Sequence, residues 1–228
     1  LVHKSLWGFA ILFGAAFLAR LISCTLLTRL YEKPLPEKAQ VQGKLSNFIR
    51  ELPTTNLGKY MIFLISMSFA VNIASPYFTV YQLRDLKLSY LSFAVLDTIS
   101  SAAMLLTIRH WGRLADRAGN LKMMYLASAL IPLVPLLWIV SANLTYLGFI
   151  QAFSGFAWAG YNLCSVNYLY DATTRENRTQ YLAYFNAGNG MAAGLGALLG
   201  GLLSTHLPPF RGYQILTLLL ISGILRAA

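Results

Sequence analysis

From Met123 to Tyr170 the chain reads MMYLASALIPLVPLLWIVSANLTYLGFIQAFSGFAWAGYNLCSVNYLY, without a single formal charge. A bilayer core is crossed by ~20 mostly apolar residues wound as a helix. The stretch is far too long for one crossing, so the chain must turn inside it. Ser141-Ala142-Asn143 supplies the turn residues. Strands do not serve here, because a membrane barrel needs alternating segments of about ten residues.

Working outward, apolar runs stand on both sides. Leu6 to Leu27, Tyr60 to Tyr81 and Tyr90 to Ile108 come before; Met123 to Val140 and Leu144 to Tyr170 are the two halves of the central stretch; Tyr181 to Leu203 and Gly212 to Leu225 come after. Of 228 residues, 57% are hydrophobic and 11% charged, against ~25% charged in soluble domains. A water-soluble fold is excluded, and the chain reads as an all-α, polytopic membrane helix bundle. The last run reaches only ~21 Å at 1.5 Å per residue, and the first begins almost at Leu1 without a signal-peptide pattern. The expectation is a piece of a longer protein with its last helix truncated.

The net charge of +10, from 18 Lys and Arg against 8 Asp and Glu, sits in short gaps between apolar runs. No continuous basic face with interleaved aromatics exists, so a nucleic-acid partner is not expected. The one long polar stretch, Tyr31 to Lys59, holds Pro34, Pro36 and Pro53 and reads as a linker between two membrane bundles, with a short surface helix near Leu45 to Leu52. Placing this linker in the cytoplasm gathers about 13 basic residues inside, Arg226 among them, against about 4 outside, the sense of the positive-inside bias. The expected location is the plasma (inner) membrane. Arg20 reads as a snorkelling anchor of the first helix. Cys24 and Cys164 lie in apolar runs and read as small buried residues, and His3, His110 and His206 form no metal or catalytic group.

Polar residues inside membrane helices tend to face a bundle interior or a wet cavity. Ser68, Asn72, Ser75, Thr79 and Gln82 recur at steps of three and four, one stripe that includes Pro76. The next segment aligns Asp97, Ser100, Ser101 and Met104. The fifth aligns Gln151, Ser154, Trp158, Asn162 and Ser165, and the sixth Asn186, Asn189, Gly190, Ala193, Gly196 and Gly200. Four helices should therefore line a cavity, while Met123 to Val140 and Gly212 to Leu225 should face lipid. Close packing is the alternative for any such stripe. It is favoured for the glycine-rich sixth segment, and the cavity for the stripe through Asn72 and Gln82.

Asp97 is the one acidic residue well inside an apolar segment. A carboxylate at a helix centre costs ~2.5 to 3.5 kcal/mol on insertion scales, so it is read as a binder of a proton or of a cationic solute group. The alternative is a hydrogen-bonded structural group near Tyr90, or one paired with a cation elsewhere.

Between the third and fourth segments stands Trp111-Gly112-Arg113-Leu114-Ala115-Asp116-Arg117-Ala118-Gly119-Asn120-Leu121-Lys122. A short connection between antiparallel helices needs glycine at its tight turn, and its Asp and Arg side chains suit an electrostatic clamp at a helix end. This stretch resembles the Gly-x-Leu-Ala-Asp-Arg-x-Gly signature of the major facilitator superfamily (MFS) of secondary transporters.

The resemblance implies twelve helices in two six-helix halves. On that plan residues 1–30 are the last helix of the N-terminal half, 31–59 the cytoplasmic linker and 60–228 the C-terminal six-helix bundle, with the rest of the N-terminal half missing. It implies loop roles for Gly112, Arg113, Leu114, Asp116, Arg117 and Gly119, with Asp116 docking on a helix end of the other half. The basic pair that usually follows the last glycine is reduced to Lys122 after Asn120 and Leu121. Asp171, Arg175, Glu176 and Arg178 resemble the family's charged loop after helix ten.

The implied function is secondary active transport of a small solute by alternating access, without cofactor or metal, and the reading of Asp97 as a binder of a proton or of a cationic solute group leaves proton coupling as one option. Solute-binding candidates are Asn72, Gln82, Asp97, Gln151, Trp158, Asn162, Asn186 and Asn189. A seven-helix receptor and a membrane-embedded enzyme are the alternatives. The first conflicts with the long linker after the first helix, and the second lacks convergent acid, base or metal groups.

Overall fold

The computed structural model describes residues 2–29, 48–50, 52–175 and 177–227. Residues 30–47 of the linker region, and Glu176, lie outside them. The chain divides into two compact units, Leu1–Gln40 and Val41–Ala228. In the first, helix α1 spans Val2–Leu27. The hydroxyls of Thr25 and Thr28 near its end donate back to the carbonyls of Ile22 and Thr25 at 2.8 and 2.9 Å, so these polar groups are satisfied within the helix. Cys24, expected to be buried, is exposed on α1.

The described residues of the second unit are helical apart from the connections. Residues 48–50 form a helical turn, part of the surface helix expected from Leu45 to Leu52, and Phe48 packs on Tyr181 and Tyr184 with ring centroids 5.4 and 4.6 Å apart. Helix α2 (Asn56–Val80) begins where Thr55 Oγ1 accepts the Gly58 N–H at 3.0 Å, a side-chain N-cap, and runs into a π-turn at Tyr81–Asp85. Helix α3 covers Tyr90–Ala118, capped by Ser89.

The segment expected as one helix from Met123 to Val140 is two, α4 (Asn120–Leu130) and α5 (Leu133–Trp138). Neither Pro132 nor Pro135 can donate to the helical ladder, and the Ile131 carbonyl instead takes the Val134 N–H at 3.2 Å. The expected turn at Ser141 to Asn143 is present. Asn143 Oδ1 accepts from the N–H groups of Thr145 and Tyr146 at 2.9 and 3.3 Å and starts α6 (Leu144–Asp171). Helices α7 (Arg178–His206) and α8 (Gln214–Ala227) complete the unit. Among the described residues three spans, Asn56–Asp85, Tyr90–Ala118 and Asn120–Trp138, combine the length and apolarity needed to cross a membrane.

Two helix pairs organise the bundle, α3 with α6 and α2 with α7. Both are close because glycine removes the side chain at the crossing. A Cβ on Gly155 would strike the Ser100 carbonyl oxygen, and one on Gly160 would lie 2.5 Å from the Trp111 ring. Trp111 is fully buried there and donates its Nε1–H to the Phe156 carbonyl at 2.9 Å. On the other pair, Gly196 meets the Phe69 carbonyl and Gly200 the Ile73 carbonyl. Gly196 and Gly200 are thus a packing seam, as favoured for that segment, whereas a methyl group added at Gly190 or Gly194 would meet nothing within 4 Å.

The helices expected to be peripheral are well packed. The last one, α8, buries Ile215, Leu216, Leu218, Leu219, Ser222, Gly223 and Arg226 and packs on α2 and α5. Its one-sided composition hides this role, because leucine packs equally well on lipid and on a neighbouring helix.

Gly160→Ala should lower the thermal unfolding temperature of the detergent-solubilised protein, a cost of about 1–3 kcal/mol for forcing a methyl into the Trp111 ring. Gly194→Ala, facing open space, should leave it unchanged or slightly higher.

Candidate functional site: a polar cavity between the helices

Four elements that cross the bundle begin or end at the same side as the π-turn: α2 ends there, and α3, α6 and α8 start there. Counted from that side at 1.5 Å per residue, Asp97 and Gln151 lie ~10 Å deep, Arg226 ~18 Å and Trp158 ~21 Å. These residues line one cavity of about 230 Å³, together with Val71, Ser75, Phe78, Thr79, Gln82, Phe93, Val134, Trp138 and Ser154. Of the solute-binding candidates, the structure brings together Gln82, Asp97, Gln151 and Trp158. Asn72, Asn162, Asn186 and Asn189 are not among the lining residues.

Asn72 instead turns along its own helix, its Nδ2 donating to the Ser68 carbonyl at 2.8 Å beside the Gly196 seam. The next stations of the same stripe, Ser75, Thr79 and Gln82, do reach the cavity. Asn162 and Asn186 are exposed and Asn189 half-buried.

Asp97 is exposed to the cavity side and makes no hydrogen bond or ion pair among the described residues. The reading as a hydrogen-bonded structural group near Tyr90 therefore finds no partner there. The ion pair formed among the described residues is Arg84 with Asp85, at 2.7 Å in the π-turn.

The π-turn shapes the cavity's mouth. Its wider ladder, with the Leu86 N–H reaching the Tyr81 carbonyl at 2.9 Å, adds a residue to the turn and leaves Gln82 buried. Such turns are rare and often sit at functional sites. The side chain of Gln82 is 4% exposed, and its Oε1 has no hydrogen-bond partner among the described residues. Trp138 closes the wall, edge-on to Phe78 with centroids 5.4 Å apart.

Arg226 is the residue that sequence reasoning missed. Its place near the chain's last apolar run groups it with the basic residues of the cytoplasmic surface, whereas it is buried in the wall of the cavity. Its Nε donates to Ser222 Oγ at 3.0 Å and its Nη2 to the Val71 carbonyl at 3.2 Å, while Ser222 Oγ donates to the Ala70 carbonyl at 2.6 Å. The available signal was Ser222 four residues earlier, on the same helical face.

At the opposite end lies the Trp111 to Lys122 stretch. It is not a loop: α3 stays helical through Ala118, and Gly119 alone breaks the path before α4. Gly119 has φ +92°, a region that side-chain-bearing residues rarely adopt. Gly112 lies within α3, where an added Cβ would meet Leu163 only at ordinary contact distance. Arg113, Leu114, Asp116 and Arg117 are exposed, and neither arginine pairs with Asp116.

The polar link at this end is Asn120, whose Nδ2 donates to Asp171 Oδ2 at 2.7 Å and whose Oδ1 accepts from Asn167 at 3.5 Å. Arg178 folds back on the end of α6, donating to the Tyr170 carbonyl at 3.0 Å with its guanidinium 4.8 Å from the Tyr170 ring centroid. Arg175 is exposed.

The family model described as Major Facilitator Superfamily matches residues 60–227, well over half of the chain. A search of curated proteins found no match to it.

Gly119→Ala should destabilise the protein by about 1–3 kcal/mol, the usual cost of holding a side-chain-bearing residue in such a backbone conformation. Gly112→Ala should cost less, and thermal unfolding of the two variants side by side compares them.

Proposed function

The chain belongs to the Major Facilitator Superfamily and is an integral membrane transporter, and from that premise we propose that it is a secondary active carrier whose solute occupies the cavity of about 230 Å³. Members of the family move small solutes across lipid bilayers. Alternating access, the rocking of two bundles about a site near the midplane, is the general mechanism for such carriers. On the family's plan a second six-helix half would face this cavity, and the linker 31–59 would lie in the cytoplasm.

The single observation that carries the reading is Asp97. It stands ~10 Å along a membrane helix, on a cavity wall, with no hydrogen bond or ion pair among the described residues. A carboxylate so placed is costly in the membrane unless it is used. It is positioned to take a proton when the cavity opens to one side and release it when the cavity opens to the other. Gln151 and Ser154, neighbours along α6, offer the solute hydrogen bonds. Trp158 and Phe78 offer flat apolar surface.

In proteoliposomes holding the full-length protein, a transported solute should drive an internal pH change. Asp97→Asn should reduce that change at least ~10-fold, as expected when a general proton carrier is lost. Solute uptake with an unaltered pH dependence in the variant would falsify the coupling role.

A further inference from the structure

Arg226 stands out among the side chains the carrier reading does not use. Twelve residues beyond the start of α8, it lies ~18 Å into the bundle, near the middle of a hydrocarbon core ~30 Å thick. It is 8% exposed. No carboxylate lies within ion-pair distance of it among the described residues, Asp97 of the same cavity included.

A buried charge without its counter-charge is strongly unfavourable, yet specific hydrogen bonds hold Arg226 in place. Ser222 and the Val71 carbonyl take the Nε–H and one of the two Nη2–H groups. Its Nη1 makes no hydrogen bond among the described residues, so the guanidinium keeps a free donor in the wall of the cavity.

A second group points the same way. Gln82, 4% exposed and also lining the cavity, has an amide end without a partner. One buried polar group of the amide is thus left for a ligand to satisfy. Between these two polar groups the wall is aromatic, with Phe78 and Trp138 edge to face at 5.4 Å. At about 230 Å³ the space is smaller than the ~300–1,000 Å³ of pockets for drug-sized ligands.

We propose that Arg226 and Gln82 form the recognition pair of this cavity and that the solute is a small organic acid with an apolar body, its carboxylate held by Arg226. The solute's carboxylate supplies the counter-charge that the guanidinium lacks, and the planar guanidinium suits a planar carboxylate better than an ammonium would. Gln82 hydrogen-bonds the solute's second polar atom, and the aromatic wall takes the apolar body. The inference rests on the cavity being the solute site, as proposed above.

The test is a set of probes that share a phenyl ring and differ in charge: phenylacetate, benzoate, 2-phenylethanol and phenethylamine. Binding to the purified full-length protein is read from quenching of its tryptophan fluorescence, since Trp138 and Trp158 line the cavity. The carboxylates should bind and the alcohol and amine should bind at least tenfold more weakly. Arg226→Gln should weaken carboxylate binding about tenfold or more, the loss of one charge-assisted hydrogen bond, and Arg226→Lys should retain part of it. If Arg226→Gln does not fold, as its melting curve will tell, the charge preference of the unaltered protein and the Arg226→Lys variant decide.

Equal binding of amine or alcohol, undiminished carboxylate binding in a folded Arg226→Gln variant, or no carboxylate binding at all overturns the proposal. Uptake of the same probes into proteoliposomes separates the two readings. Transport of the amine or alcohol alone leaves the carrier standing and removes the role of Arg226. Carboxylate binding that depends on Arg226 but is never followed by uptake does the reverse.

Discussion

Inside a bilayer, apolar side chains gain nothing by leaving lipid for one another, so helices are held by close packing and by hydrogen bonds between them. Here that constraint is met by glycine at two crossings. Gly155 and Gly160 let α6 settle onto the backbone of α3 and onto Trp111, while Gly196 and Gly200 let α7 settle onto the carbonyls of α2. Trp111, threaded between α3 and α6 and hydrogen-bonded to the Phe156 carbonyl, fixes one pair. Tyr77, donating to the Ala197 carbonyl at 3.1 Å, does the same for the other. α8 docks on α2 through the hydrogen bond of Ser222 to the Ala70 carbonyl.

Where the pairs do not touch, polar groups gather. The backbone around the cavity is interrupted three times, by Pro76 within α2, by the π-turn that follows, and by the break between α4 and α5. Irregular backbone at membrane depth is tolerated where protein buries it or where it lines a cavity. Gln82 comes from the π-turn and Trp138 from the end of α5, so two of these interruptions deliver residues to the site itself. Ser222 links the two themes, since one hydroxyl both fastens α8 to α2 and orients Arg226.

The elements were legible in different degrees. The charge-free run from Met123 to Tyr170 announced two crossings, and the turn at Asn143 is where its residue types place it. The Trp111 to Lys122 motif pointed to the family, which the match over residues 60–227 then established. Its secondary structure was misread, because a motif with glycine at each end looks like a loop while Gly112 is accommodated inside α3. The stripe on α2 carries a direction in its spacing but not a membership. Ser75, Thr79 and Gln82 line the cavity, whereas Asn72, on the same stripe, bonds to its own helix.

Hydropathy and periodicity alone determined that this chain is a bundle of membrane helices, in what order its apolar segments follow one another, and that Asp97 stands in a place where a carboxylate is expensive. Those are properties of a residue and its near neighbours along the chain. Only the tertiary structure decided that Asp97, Gln82, Gln151 and Trp158 share one cavity and that Arg226 belongs with them. A basic residue near the end of an apolar run looks the same in sequence whether it reaches water or turns inward, and the choice was made by Ser222 and the Val71 carbonyl, the latter 155 positions away in the chain.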